Sequence, residues 1–403
     1  MRSIILFILV LVLLMSSCIK QSEPVDEYIE ESQAAPEEIL IEDQDDLSGD
    51  KAEKKDPIDG AIKFDYPPTE IDKLLFIYPL GFMFGSHVTP VDHQYYVESS
   101  FGDEENLLEI YSPAGGRITS IQHMSSLPGE DTIEIDDYRL VIIHTSTIST
   151  IYIHMDKLSE KIMAFAPPPG EYTSVDIPVE AGEVIGMYGG SLDFNVVDKD
   201  IILPGFVVPE SYKVEEWKIH VKDPFDYFNE PIKNKLIEKC LRAVEPIGGK
   251  IDYDIDGKLI GNWFLENTNK YRGSGDMYGA YYSGHLAIAY DYIDPGHIVV
   301  SIGSYEGESK QFGVAGNDPD PSDIGVGTLV KYGLVNFDYF DENNRWDRKS
   351  LVKGLKVKNS DERIIGTVLL ELIEDRKLKM EIFNNKTPEE IEDFSENALI
   401  YER

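Results

Sequence analysis

Carboxylates, histidines and glycines stand together at several places in this 403-residue chain, at spacings that invite chemistry. Asp252-Tyr253-Asp254-Ile255-Asp256-Gly257 alternates acids and then turns on glycine, which is how a calcium loop begins. Its twelfth position is Trp263 instead of the closing glutamate, and no helical pattern flanks it, so an EF-hand is excluded. The competing reading is a hairpin with outward-facing acids, turning at Asp256-Gly257. Gly261-Asn262-Trp263 then opens a strand, and Tyr271, Tyr278, Tyr281 and Tyr282 follow among glycines, either lining a pocket or forming a loop. His285 and His297 sit in strand patterns and read as core or surface residues.

The first half of the chain carries three longer phrases. His87-Val88-Thr89-Pro90-Val91-Asp92-His93 comes first. Ser112-Pro113-Ala114-Gly115-Gly116-Arg117-Ile118 and Tyr152-Ile153-His154-Met155 follow. Val179-Glu180-Ala181-Gly182-Glu183-Val184-Ile185-Gly186-Met187-Tyr188-Gly189-Gly190 then runs into Ser191-Leu192-Asp193-Phe194-Asn195. Over roughly residues 80–200 this order resembles the lysostaphin/LytM-type zinc endopeptidases and the duplicated hybrid motif on which they are built. The resemblance implies a β fold, a zinc site and cleavage of envelope peptides. It also implies a ligand set of His87, Asp92 and Asp193, with His154 at the position of a transition-state helper.

The departures bear on each of those implications. The family closes on His-Leu-His-Phe-Glu, with the first histidine assisting catalysis and the second binding zinc; here those places hold Ser191 and Asp193. His87 lies five residues before Asp92 where the family has four, and His93 competes with it as a ligand. Catalytic zinc takes three protein ligands and keeps a position open for water. A set built from His87 or His93 with Asp92 and Asp193 is carboxylate-rich, and Ser191 is no general base near neutral pH without an activating partner. The expectation is a degenerate metal site with a relict His154, in a domain that binds and does not cut. Zinc endopeptidase activity on envelope peptides is the alternative.

At the amino terminus, Met1-Arg2 is followed by an aliphatic run from Ile4 to Met15. A charged start, a short apolar run and small residues at the cut describe a signal peptide, and the run is shorter than the ~20 residues a spanning helix needs. Met15-Ser16-Ser17-Cys18 resembles the lipobox of bacterial-type lipoproteins, which implies lipidation at Cys18 and a membrane anchor outside the cytoplasm. An ordinary cleaved leader with an incidental cysteine is the competing reading. With Cys18 lipidated, Cys240 has no intramolecular partner; it falls in a helical pattern and reads as a small buried residue.

The net charge is −37, and residues 19–60 hold 15 acidic against 4 basic residues. A nucleic-acid binder needs a basic face to displace counterions, so that class is excluded, and direct adsorption to anionic lipid is disfavoured. Residues 18–65 read as an acidic disordered linker holding the folded part away from the membrane. Short Val/Ile/Tyr runs between Gly, Pro and Asp turns then predict a mainly β fold. Helical spacing of Ile232, Leu236, Ile237, Cys240, Leu241 and Val244, with Asn229 as cap, predicts a helix over Glu230–Val244 that divides the chain.

The expected organisation is a signal peptide over 1–17, the linker over 18–65, a LytM-like hybrid-motif domain over 66–229 and a β-barrel-like domain over 230–403. The last of these carries a late helix opened by the capping box Thr387-Pro388-Glu389-Glu390. The partners expected are an envelope glycan, a peptide or another protein. Small-ligand binding in the barrel is a further alternative.

Overall fold

The computed structural model describes residues 62–98, 106–124, 136–274, 281–360 and 363–403. The leader, Cys18, the linker up to residue 61 and Tyr278 lie outside the described residues. The order expected to begin at residue 66 already includes Phe64, which is fully buried and donates its backbone N–H to Tyr227 O. An aromatic side chain this close to the first strand is enough apolar surface to tie down the end of an otherwise polar segment.

The first half is built from β1 (Phe76–Tyr78), β2 (Gln94–Val97), β3 (Leu108–Tyr111), β4 (Gly116–His123), β5 (Tyr138–Ile143) and β6 (Ile148–Met155). It continues with β7 (Lys157–Leu158), β8 (Tyr172–Val179), β9 (Val184–Tyr188), β10 (Ser191–Asp198) and β11 (Val221–Lys222). Eight of these make one sheet, in the order β1-β2-β10-β6-β5-β4-β8 with β11 beside β10; β3, β9 and β7 make a smaller one.

Side chains alternate across a strand, so each strand feeds two faces. Leu140, Ile142, Tyr152, Leu192, Phe194 and Val196 point into a core closed by Ile110, Leu158 and Ile185 of the small sheet. Arg139, Val141, Ile151, Ile153, Asp193 and Asn195 occupy the other face.

That second face is covered by later parts of the chain. A series of short turns over Pro209–His220, kinked at Tyr212 and Glu215, lies against it. Gly205 pins the approach: its N–H donates to Asp252 Oδ2, and a Cβ there would sit 1.9 Å from the Asp252 carbonyl oxygen. Only glycine lets the two backbones come this close.

The helix Glu230–Lys239 follows, with Asn229 at its cap position and Pro231 in its first turn. It stops five residues short of the expected Val244, because Cys240 already turns to extended backbone. Its Leu236, with Cys240, packs into the core of the first half. Burial raises the Cys240 thiol to about 12, so it stays protonated and inert.

The second half contains a closed antiparallel barrel, as the β-barrel-like expectation has it. Its first four strands are β12 (Gly261–Leu265), β13 (His285–Tyr290), β14 (Ile298–Tyr305) and β15 (Glu308–Val314). β16 (Leu329–Val335) is followed by an excursion of β17 (Phe337–Asp341), β18 (Asn344–Arg345) and β19 (Lys356–Asn359). β20 (Gly366–Glu374), β21 (Lys377–Asn384) and β22 (Leu399–Glu402) complete the barrel, with β22 closing on β12. Closure leaves no unpaired edge strand.

Trp263, Ile288, Val300, Phe312, Tyr332, Val368 and Leu378 pack against one another in the interior, as eight strands close around their own side chains. Trp346 of the excursion packs on Phe76 and Tyr78 of β1, so a shared aromatic core joins the two halves. The late helix is only a three-residue turn, Pro388–Glu390, although its capping box is formed. Ile391 is already extended, leaving no length for a helical turn to propagate.

Candidate functional site

Asp92 and His93 sit at the bend that leads into β2, and Tyr95 of β2 pairs with Asp193 of β10. Asp193 in turn pairs with Ile153 of β6. The register between β5 and β6 shifts here, and His154 adopts φ +65°. An irregularity of this kind re-aims a side chain, and it lets Ile153 and His154, though consecutive, both face the same cleft. A non-glycine residue in the left-handed region costs free energy that the surrounding structure must hold in place.

The charged groups form one chain of contacts. His154 Nδ1 lies 3.1 Å from Asp137 Oδ2 and its Nε2 lies 3.5 Å from Asp193 Oδ2. His93 Nε2 approaches the same Asp193 oxygen at 3.1 Å, too poorly aligned for a hydrogen bond, and its Nδ1 lies 3.2 Å from Asp92 Oδ1. Asp92 then meets two groups from the covering turns. The Trp217 indole N–H donates to its Oδ2 at 2.9 Å, and the Lys218 ammonium stands 3.8 Å from its Oδ1. His87 Nε2 is 3.3 Å from the Tyr95 hydroxyl.

Electrostatics follow from that arrangement. Burial opposes ionisation of Asp92, yet Lys218 and His93 outweigh it and hold the carboxyl well below the usual range. Burial also disfavours the charged form of His154, but Asp193 and Asp137 raise it to about 10, so it is an imidazolium at neutral pH. His87 goes the other way: burial, with His93 and Lys218 nearby, lowers it to about 3 and keeps it neutral. Asp193 and Glu215 are both raised by burial.

Residues of the second half complete the walls. His285 donates Nε2–H to the Tyr271 carbonyl at 2.9 Å, and burial lowers its pKa to about 3. Tyr271 and Tyr281 also face the cleft, which answers the pocket-or-loop alternative for those two. The cleft opens to solvent, and the centre of a water molecule can range over about 120 Å³ of it. Sequence reasoning missed Lys218, Glu215 and Trp217, whose local pattern of Lys, Glu and Trp resembles a solvated turn, and Arg139, which alternation alone places on this face.

Zinc fits this donor set poorly. It needs three donors at about 2.0–2.3 Å around one point. Here Asp92 already takes the indole N–H and the ammonium, and His87 faces a hydroxyl. Among the described residues no three His, Cys, Asp or Glu side chains converge as a metal requires. His87, Asp92 and Asp193 therefore line one cleft without forming a ligand triad. Ser191 is half-buried, and its hydroxyl oxygen, shielded from solvent, makes no hydrogen bond, so no activating base reaches it.

The acidic run of the second half is not a calcium loop. Asp252 accepts from Gly205 N–H and from Lys250, while Asp254 accepts from Asn262 N–H and is raised by burial to about 6. Asp256 pairs with Arg376 at the surface. Three carboxylates with three separate sets of partners leave no common centre. Nor is this a hairpin with outward acids, since Asp252 and Asp254 are buried; only the turn at Asp256-Gly257 holds.

The fold and site thus define a mainly β protein, an open sheet joined to a closed barrel, with a charged cleft beneath their junction. No protein-family model matches the sequence, and no curated relative matches it. Among solved structures, a zinc-containing peptidase from Vibrio cholerae overlaps 35% of this chain and 38% of its own, at 16% identity and TM-score 0.23. A deep-sea M23 metalloprotease, pseudoalterin, overlaps 35% of this chain and 72% of its own, at 15% identity and TM-score 0.20. The binding domain of Paraclostridial Mosquitocidal Protein 1 overlaps 82% and 92%, at 8% identity and TM-score 0.18. The chain spans well under half the length of the first of these. Likenesses this slight carry no argument.

Proposed function

We propose that this chain is a lipid-anchored, extracytoplasmic protein whose first half binds an envelope glycan, a peptide or a partner protein without cutting it. The observation that carries this reading is the ammonium of Lys218 beside Asp92. A buried cation there supplies the positive charge that a metal would bring to the carboxylate, and it repels a second cation. Ser191 at a position where the resembled enzymes have a proton-transferring histidine removes a contribution commonly worth about 10²–10⁴ in rate.

Two measurements test the proposal. Purified full-length protein, incubated with peptidoglycan or glycine-rich peptides and added zinc, is expected to show no turnover above background and no stoichiometric zinc by elemental analysis. Turnover that disappears in a His154→Ala, Asp193→Ala double variant would overturn the reading in favour of a metalloendopeptidase. For the anchor, Cys18→Ala is expected to abolish acyl labelling and detergent partitioning. Labelling that persists in that variant would remove the anchor from the proposal.

A further inference from the structure

The floor of the cleft holds buried polar atoms that make no hydrogen bond. They are Asp193 Oδ1, Asn195 Oδ1, Gln122 Oε1 and Arg139 Nη1, all on residues that face the cleft. Arg139, Asp193 and Asn195 are each more than nine-tenths buried. A buried group left without a partner costs on the order of 1–3 kcal/mol, more if charged, so such a cluster persists where something else satisfies it.

Strand pairing sets the layout of these atoms. Asp193 of β10 is opposite Ile153 of β6, and Arg139 of β5 is opposite Gln122 of β4. β5 and β6 are neighbours, so Asp193 and Arg139 stand two strands apart across one face. At the usual spacing of neighbouring strands that separates their backbones by about 10 Å. Asn195 lies two residues further along β10, beside the same face. The middle of this floor is apolar, made by Ile151 and Ile153. The cleft therefore offers the acceptors of Asp193 and Asn195 at one side, a guanidinium beside the Gln122 amide at the other, and aliphatic surface between them.

An extended peptide rises about 3.3–3.6 Å per residue, so two or three residues span that gap. We propose, resting on the non-cutting reading above, that the ligand is a short peptide with both termini free. Its carboxylate is taken by Arg139, and its ammonium and first amide N–H groups by Asp193 and Asn195. A guanidinium is the group suited to a carboxylate, because its N–H donors match the two oxygens. A sugar ring fits less well. Its usual platform is an open aromatic face, and here Arg139 lies over Trp217 and Lys218 over Tyr271, each at 5.1 Å from the ring centre.

Calorimetric titration of the full-length protein with tri-alanine, its C-terminal amide and its N-acetyl form tests this. Tri-alanine is expected to bind, and each blocked form to bind about tenfold to a hundredfold more weakly, the range of one lost charge-assisted hydrogen bond. Arg139→Met should erase the difference between acid and amide, while Arg139→Lys keeps part of it; near-UV circular dichroism checks that both variants fold. If either variant misfolds, the comparison among the three peptides on the natural chain still decides. Equal binding of acid and amide overturns the proposal. So does absence of tri-alanine binding, and if peptidoglycan also stays uncut, the binding reading survives without this ligand. Cleavage of tri-alanine instead overturns the reading beneath it.

Discussion

Replacing Lys218 by methionine is expected to destabilise the protein by about 3–5 kcal/mol, the range seen when one partner of a buried ion pair is removed. The substitution leaves the Asp92 carboxylate, 9% exposed, with an indole N–H and a histidine but no full positive charge from the covering turns. The pH dependence has a definite sign. Asp92 is held below its unfolded value, so its contribution is complete above about pH 4, the usual aspartate pKa, and is lost as the pH falls from there. In the variant, burial acts on Asp92 without Lys218 to offset it, so protonation relieves the strain. The deficit should therefore shrink as the pH falls below 4, and a Lys218→Met, Asp92→Asn double variant should recover most of the loss. Urea midpoints across pH measure this. A deficit that is absent at neutral pH, or the same at pH 3 and pH 7, would show that Lys218 does not compensate Asp92.

At the barrel, Arg403→Met is expected to cost about 3–5 kcal/mol as well. The Arg403 guanidinium lies 3.8 Å over the Trp263 ring. It donates to the carbonyls of Ile255, Lys258, Leu259 and Ile260, which have made the turn before β12. Methionine keeps the apolar contact with Trp263 but leaves several of those carbonyls unsatisfied. For a unit of this size the loss lowers the melting temperature by roughly 10 °C. Arg403→Lys should restore little, because a single ammonium cannot spread over carbonyls that a planar fork reaches at once. If lysine served as well as arginine, the fork would not be what holds this end.

Strand periodicity made most of the β elements legible. Tyr138–Ile143 and Ile148–Met155 carry β-branched and aromatic residues between Gly, Asp and Thr breaks, and they pair with each other as neighbours in sequence. The helix Glu230–Lys239 announced itself by Pro231 and by its apolar spacing, both local properties. Its end did not, because Cys240 turns outward to meet β1, with which it shares a bridge, and that contact lies about 160 residues away.

The sequence by itself determined the chemistry that was in stock: histidines at 87, 93 and 154, carboxylates at 92 and 193, and a serine at 191. It also determined the acidic balance and the mainly β character. Only the tertiary structure decided how those groups are used. Lys218 and Trp217 reach Asp92 from 125 or more residues along the chain, and no local pattern distinguishes them from a solvated turn. The three alternating acids of 252–256 read as one site in sequence, yet each finds its own partner: Asp254 the nearby Asn262, and Asp252 and Asp256 the remote Gly205 and Arg376. Side-chain type is local, whereas the sign of the charge that meets a buried carboxylate depends on which remote segment folds over it.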